Sequence, residues 1–229
     1  MRPTVLLFDI DGTLVATGGA GRRAMVSAFG DVYGRPDVFD RTNFGGMTDR
    51  AIVRHGIVTA TGVCDEAAID RALDAYLERL ERELASGTGY RVFPGVYDVL
   101  ERVRDRAGVA VGLGTGNVRR GAFAKLAPGK LDATFAFGGF GCDAEDRTEL
   151  LRAGARRGAE ALGVPVDDCR VVVIGDTPKD VAAAKGLGAA CVGVGTGGHA
   201  PASLVELGAS HGFATLAEPG VLDALLRHG

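Results

Sequence analysis

Five short apolar runs, Val5–Phe8, Val109–Leu113, Ala133–Phe137, Val171–Ile174 and Ala190–Val194, leave few folds open to this chain. Each is short and apolar on both faces, the pattern of a strand buried within a parallel sheet. Parallel strands need long crossovers, and segments of helical periodicity separate most of these runs. Pro94-Gly95 opens one such segment, with Val96, Val99, Leu100 and Val103 at helical spacing and the proline in the tolerated first turn. Another runs from Arg147 to Leu162 and stops at Gly163. The expected fold is α/β, a doubly wound, Rossmann-like parallel sheet.

Between the first strand and Pro94 lie three helical patterns and no convincing strand. Ala24–Tyr33 carries Met25, Val26, Phe29 and Val32; Thr48–Ala60 carries Ile52, Val53 and Ile57; Asp65–Ala85 carries Ile69, Leu73, Tyr76, Leu77, Leu80 and Leu84. Thr48 and Asp65 suit the N-caps of the last two. This is too much helix for a crossover, so residues 17–88 are expected to form an inserted all-helical cap on a core of residues 1–16 and 89–229. Gly18-Gly19 and Ser86–Gly89 flank the insertion where flexible joints would be needed.

Ligands of an open parallel sheet gather at the carboxyl ends of its strands. After the first strand stand Asp9 and Asp11, two residues apart and therefore pointing the same way while the chain stays extended. Two carboxylates so close repel, and a proton or a hard cation such as Mg2+ resolves the conflict. A simple turn after a strand explains one aspartate but suits two poorly. After the second core strand come Thr115, Gly116 and Asn117, and after Val171–Ile174 comes Gly175-Asp176-Thr177-Pro178-Lys179-Asp180. Taken alone, Asp176 and Asp180 fit helix capping. Beside Asp9 and Asp11 they extend an acidic rim.

Of the 229 residues, 46% are apolar, ample for a core, and a net charge of -3 without a basic stripe makes nucleic acid and anionic membranes poor partners. A small molecule is the expected ligand. No segment reaches the roughly 20 apolar residues of a membrane span, and Asp9 cuts short the N-terminal apolar run before it resembles a secretion signal, so a cytoplasmic location is expected. Cys64, Cys142, Cys169 and Cys191 show no paired spacing and are read as reduced thiols without a zinc site. Glycine clusters at Gly112–Gly116 and Gly193–Gly198 lack the full dinucleotide fingerprint.

Asp9-Ile-Asp-Gly-Thr-Leu-Val15, a threonine after the second core strand and Gly175–Asp180 together resemble the haloacid dehalogenase superfamily, in particular its phosphatase branch with a helical cap, such as phosphoglycolate phosphatase. The resemblance spans the whole chain with the motifs in order. It implies an aspartyl-phosphate mechanism, with Asp9 as nucleophile and Asp11 as the acid that protonates the leaving oxygen and then activates water. It further implies Mg2+ held by Asp9, Asp176 and the Asp11 carbonyl, with Asp180 steadying that site from outside. Thr115 and backbone N–H groups near Gly116, with Asn117, would bind phosphoryl oxygens.

The lysine this superfamily usually places before the fourth strand, often in a Lys-Pro pair, is absent in that form; only Lys125, Lys130, Lys179 and Lys185 exist. Arg147 stands nearest the expected position and can grip phosphate with a charge that is never lost; Lys179 is the second candidate. Thr48, Asp49 and Arg50, in the Gly-rich stretch Asn43–Arg50, are the candidate substrate loop of the cap, with helix capping as the competing role. His55, His199, His211 and His228 share no spacing and are read as surface or packing residues. A sugar-phosphate mutase is the nearest rival function, then a catalytically weak phosphate-binding relative. A receiver-like signalling domain does not need the cap or the second acid, and dehalogenases lack an acid equivalent to Asp11.

Overall fold

The computed structural model describes residues 2–226. Six strands form one parallel sheet in the order β5-β4-β1-β6-β7-β8, comprising β1 (Thr4–Phe8), β4 (Val109–Gly114), β5 (Gly138–Gly139), β6 (Arg170–Gly175), β7 (Ala190–Val194) and β8 (His211–Phe213). A separate antiparallel ribbon pairs β2 (Val15–Thr17) with β3 (Tyr90–Val92). β1 lies at the centre because every one of its side chains is buried, which only a strand flanked on both edges and covered on both faces allows. Its neighbours run in matched register, Phe8 opposite Leu113 on one side and Ile174 on the other. The three polar strand ends predicted from sequence therefore lie side by side.

Two apolar layers cover the sheet. On one face, Leu150, Leu151 and Ala155 of α6 (Arg147–Leu162) and Val181 and Ala184 of α7 (Pro178–Leu187) pack with Val5, Leu7 and Val173. On the other, α4 (Val96–Arg104), α5 (Arg119–Leu126) and α9 (Val221–Leu226) meet Leu6, Phe8, Val111 and Val172. A short α8 (Pro201–Glu206) joins β7 to β8. A third cluster, which includes Met25, Phe29, Ile57, Ile69, Tyr76 and Leu80, is built mainly from α1 (Ala20–Tyr33), α2 (Asp49–Thr61) and α3 (Glu66–Ala85). These helices stand over the strand ends, tied back to the sheet by the β2–β3 ribbon. Thr48 and Asp65 cap α2 and α3 by accepting from the Ala51 N–H (3.2 Å) and the Ala68 N–H (2.7 Å).

Two expected elements differ. Ala133–Phe137 is not a strand: residues Asp132–Thr134 make a tight 3-10 turn, and pairing with β4 is confined to Gly138–Gly139. Phe135 and Phe137 pack into clusters on opposite faces and so mimic strand alternation. The ladder itself sits where α6 closes on the chain, since a Cβ on Gly139 would lie 1.8 Å from the Leu150 carbonyl oxygen. α4 begins at Val96, with Gly95 as its N-cap, so Pro94 precedes the helix instead of opening it. Among the described residues no helix is long and apolar enough to cross a membrane, and all four cysteines are free thiols.

Candidate active site

Asp9, Asp11, Thr115, Gly116, Asn117, Arg147 and Asp176 all line one cavity of about 430 Å³ between the strand ends and the helices above them. Asp9 follows β1, is 5% exposed, and has its backbone N–H tied to the Ile174 carbonyl at 2.9 Å. Burial raises its pKa to about 6: Arg147 pulls it down, but Asp180 and Asp11 add repulsion. Asp176 follows β6 and accepts from the Thr13 hydroxyl at 3.1 Å. Burial, then Asp9 and Asp180, push it up to about 8. Carboxylate oxygens of Asp9, Asp176 and Asp180 lie within 4.8 Å of one another.

Arg147, the residue nearest the position of the missing lysine, is buried against Asp9 and Asp180. As the first residue of α6 it is 9% exposed, and its guanidinium stands 3.1 Å from Asp9 Oδ2 and 2.5 Å from Asp180 Oδ1. Burial works against its charge, but Asp180 and Asp9 more than offset this and raise its pKa. Asp180 is locked by the same pair and by Thr177, whose hydroxyl and N–H donate to Oδ2 at 2.7 and 3.0 Å. Lys179 does not join them: it is exposed and lies along Gly46 of the Asn43–Arg50 loop. Replacing Arg147 by alanine leaves two buried acids without their cation, so about 3–5 kcal/mol of stability should be lost. kcat/KM on a phosphate ester should fall about 10²-fold as a charge-assisted contact disappears. Thermal unfolding and steady-state kinetics of Arg147→Ala check both, and unchanged kcat/KM removes Arg147 from the site.

Thr115 Oγ1 accepts from the side-chain and backbone nitrogens of Asn117 (2.8 and 3.3 Å), which leaves its own hydrogen to be donated into the cavity. The Thr115 N–H is taken by the Gly139 carbonyl at 3.0 Å. Asn117 is less open to a ligand than expected, since its amide nitrogen donates to Asp11 Oδ2 (2.9 Å) as well as to Thr115. Lys125 completes this group, bonding Asp11 Oδ2 and Asn117 Oδ1, both at 2.6 Å. Sequence reading gave Lys125 no role. Its signal was its place on the buried side of α5 beside Gly121, Ala122 and Leu126, where an unpaired lysine would be costly.

Of the candidate substrate loop, Asp49 lines the cavity, while Thr48 and Arg50 do not. Thr48 is buried as the α2 cap, and its hydroxyl donates to the Glu145 carbonyl at 3.4 Å. Arg50 turns toward Glu66, Asp70 (3.5 Å) and Glu145 (3.9 Å). Asp49 ties the loop to the turn that follows β4, donating its N–H to the Gly116 carbonyl (2.8 Å) and accepting from the Val118 N–H (2.9 Å). Gly116 permits this approach, because a Cβ there would lie 2.5 Å from the Met47 carbonyl oxygen. Burial raises the Asp49 pKa to about 6, against the pull of Lys125. His199 also reaches the cavity wall, whereas His55 bonds Thr42 (3.2 Å), His211 stacks on Phe213, and His228 lies outside the described residues.

The donor set suits a hard cation: two clustered, buried carboxylates of raised pKa, Asp9 and Asp176, offer oxygen alone, with Asp180 already neutralised by Arg147.

A family model described as haloacid dehalogenase-like hydrolase matches residues 3–188. The chain is 28% identical over 196 residues to the Arabidopsis thaliana protein SUPPRESSOR OF QUENCHING 1, chloroplastic, a match that takes in 84% of this chain but only 18% of that much longer protein. Among solved structures it is similar to CbbY from Rhodobacter sphaeroides in complex with phosphate, with TM-score 0.69 and 22% identity over 98% of this chain and 99% of the other. It is likewise similar to a "predicted phosphoglycolate phosphatase" from Haemophilus somnus 129PT, with TM-score 0.70 and 17% identity over 97% and 98%.

Proposed function

Because the chain belongs to the haloacid dehalogenase-like hydrolase family, we propose that it is a Mg2+-dependent phosphatase that hydrolyses a small phosphorylated metabolite through an aspartyl-phosphate. The observation that carries this reading is that two aspartates, Asp9 and Asp11, open on one cavity with separate partners, Arg147 for the first and Lys125 with Asn117 for the second. Separate partners suit separate tasks.

Asp9 attacks phosphorus, and the bond to the leaving oxygen breaks as Asp11 delivers a proton to it. In the second half Asp11, now a carboxylate, takes a proton from water as that water displaces phosphate from Asp9. The Thr115 hydroxyl donates to a phosphoryl oxygen, and the Arg147 guanidinium stands beside the nucleophile to offset charge. Asp9, Asp176 and the Asp11 carbonyl would hold Mg2+, which when bound supplies charge neutralisation and orientation of the phosphoryl group. Helices α1–α3, within residues 17–88, act as the cap over the leaving group, where Met25, Ile52, Asp49 and Tyr76 line the wall. A cavity of about 430 Å³ suits a phosphoglycolate-like or sugar-phosphate substrate. A small-molecule ester fits the chain's charge and lack of a basic stripe.

Phosphate release from a panel of small esters tests this reading. We expect turnover with Mg2+ and at least about 10²-fold less after chelation. Turnover that survives chelation, or none with any ester, defeats the proposal. Conversion of a sugar monophosphate into an isomer without free phosphate would favour the mutase.

A further inference from the structure

Lys125 bonds Asp11, yet no step of the scheme above uses it. It is 5% exposed, roofed by Gly21 of α1 and Tyr76 of α3; a Cβ on Gly21 would lie 3.4 Å from its Nζ and 3.8 Å from the Tyr76 hydroxyl. The acidic groups facing it are Asp11, Tyr76 and Asp49, from the core and from both cap helices α2 and α3. A lysine on an otherwise apolar helix face can be mere glue between layers. Its bonding argues for something more selective. Lys125 Nζ and Asn117 Nδ2 both donate to one oxygen of Asp11, Oδ2, at 2.6 and 2.9 Å, and Lys125 holds Asn117 itself through Oδ1 at 2.6 Å. Two donors on one oxygen fix the plane of a carboxyl whose side chain is otherwise 43% exposed and able to swing. They leave Oδ1 as the oxygen that meets the leaving group.

We propose that Lys125 is a positioning residue for the acid Asp11, holding Asp11 Oδ2 so that Oδ1 reaches the leaving oxygen. This rests on the phosphatase reading. Proton delivery matters in proportion to how poor the leaving group is: an alkoxide must be protonated as it departs, whereas 4-nitrophenolate departs without help. Loss of a positioning residue therefore falls on one kind of ester, while loss of interlayer packing falls on both.

The test compares wild type and Lys125→Met on an alkyl phosphate and on 4-nitrophenyl phosphate. We expect kcat/KM for the alkyl ester to drop about 10²-fold and for the nitrophenyl ester less than about threefold, in keeping with the usual worth of a positioned acid. Lys125→Gln, which keeps an N–H donor without the charge, is read the same way should the methionine variant not fold. Equal losses on both esters, or no loss on either, overturn the Lys125 assignment alone. Wild-type protein that hydrolyses neither ester overturns the phosphatase reading on which it rests.

Discussion

Asp9→Asn should reduce phosphate release by about 10⁵-fold, the scale of removing a covalent nucleophile from a set of groups that act as a unit. The amide has the size of the carboxylate but no electron pair fit to attack phosphorus. Every other group stays in place: the Asp9 backbone N–H remains bound to Ile174, Thr115 keeps its two donors from Asn117, and Arg147 keeps Asp180 at 2.5 Å. The variant should fold. Burial together with Asp180 and Asp11 outweighs the pull of Arg147 and raises the Asp9 pKa to about 6, so its ionised form is costlier here than in water. A neutral amide removes that repulsion. Metal-free Asp9→Asn should therefore melt no lower than metal-free wild type, which separates a lost nucleophile from a lost fold. Release within tenfold of wild type would show that Asp9 is not the attacking group.

Most of the acid rim was legible because short-range rules determine it. A buried run ending in two aspartates two residues apart can present them only at a strand end, and the rule that ligands gather there predicts Thr115 and Asp176 as neighbours. Arg147 was legible only through the resemblance, as the residue nearest the expected lysine, since nothing local reveals that α6 aims it at Asp9. Lys125 was missed because its partners, Asp11 and the cap helices, are remote in sequence and meet only when the insertion folds back over the sheet. His199 lies five residues beyond the end of β7, in a glycine-rich loop that carries no pattern of its own and still reaches the cavity. The β2–β3 ribbon and β8 have three residues per strand, too few for periodicity to register. The β5 error has the same root, since two glycines carry no pattern and the flanking phenylalanines imitate one.

If Asp9 and Asp176 hold Mg2+ as proposed, removing it should change stability and binding in a pH-dependent way whose sign follows from the acids. Asp176 is raised to about 8 and Asp9 to about 6, by burial first and by neighbouring charge second, from an ordinary value of 3.8. A carboxyl with a raised folded-state pKa binds its proton more tightly in the folded protein. Its contribution is fully present below the unfolded value and is lost as pH rises through the folded one. Metal-free protein should therefore lose thermal stability from about pH 4 to above pH 8, the interval between those values. Mg2+ requires the same oxygens deprotonated, so it competes with protons. Its affinity, measured by calorimetry, should weaken about tenfold for each unit of pH lowered from 8 to 6 per proton displaced. The melting rise produced by a fixed Mg2+ concentration should be largest above pH 8 and vanish near pH 5. Asp176→Asn removes the group with the higher value and should abolish most of that rise at every pH. Calorimetric affinity that does not change between pH 6 and 8 would mean that the cation does not bind through Asp9 and Asp176, since no ligand set of protonated carboxyls can hold it with the same strength as the ionised pair.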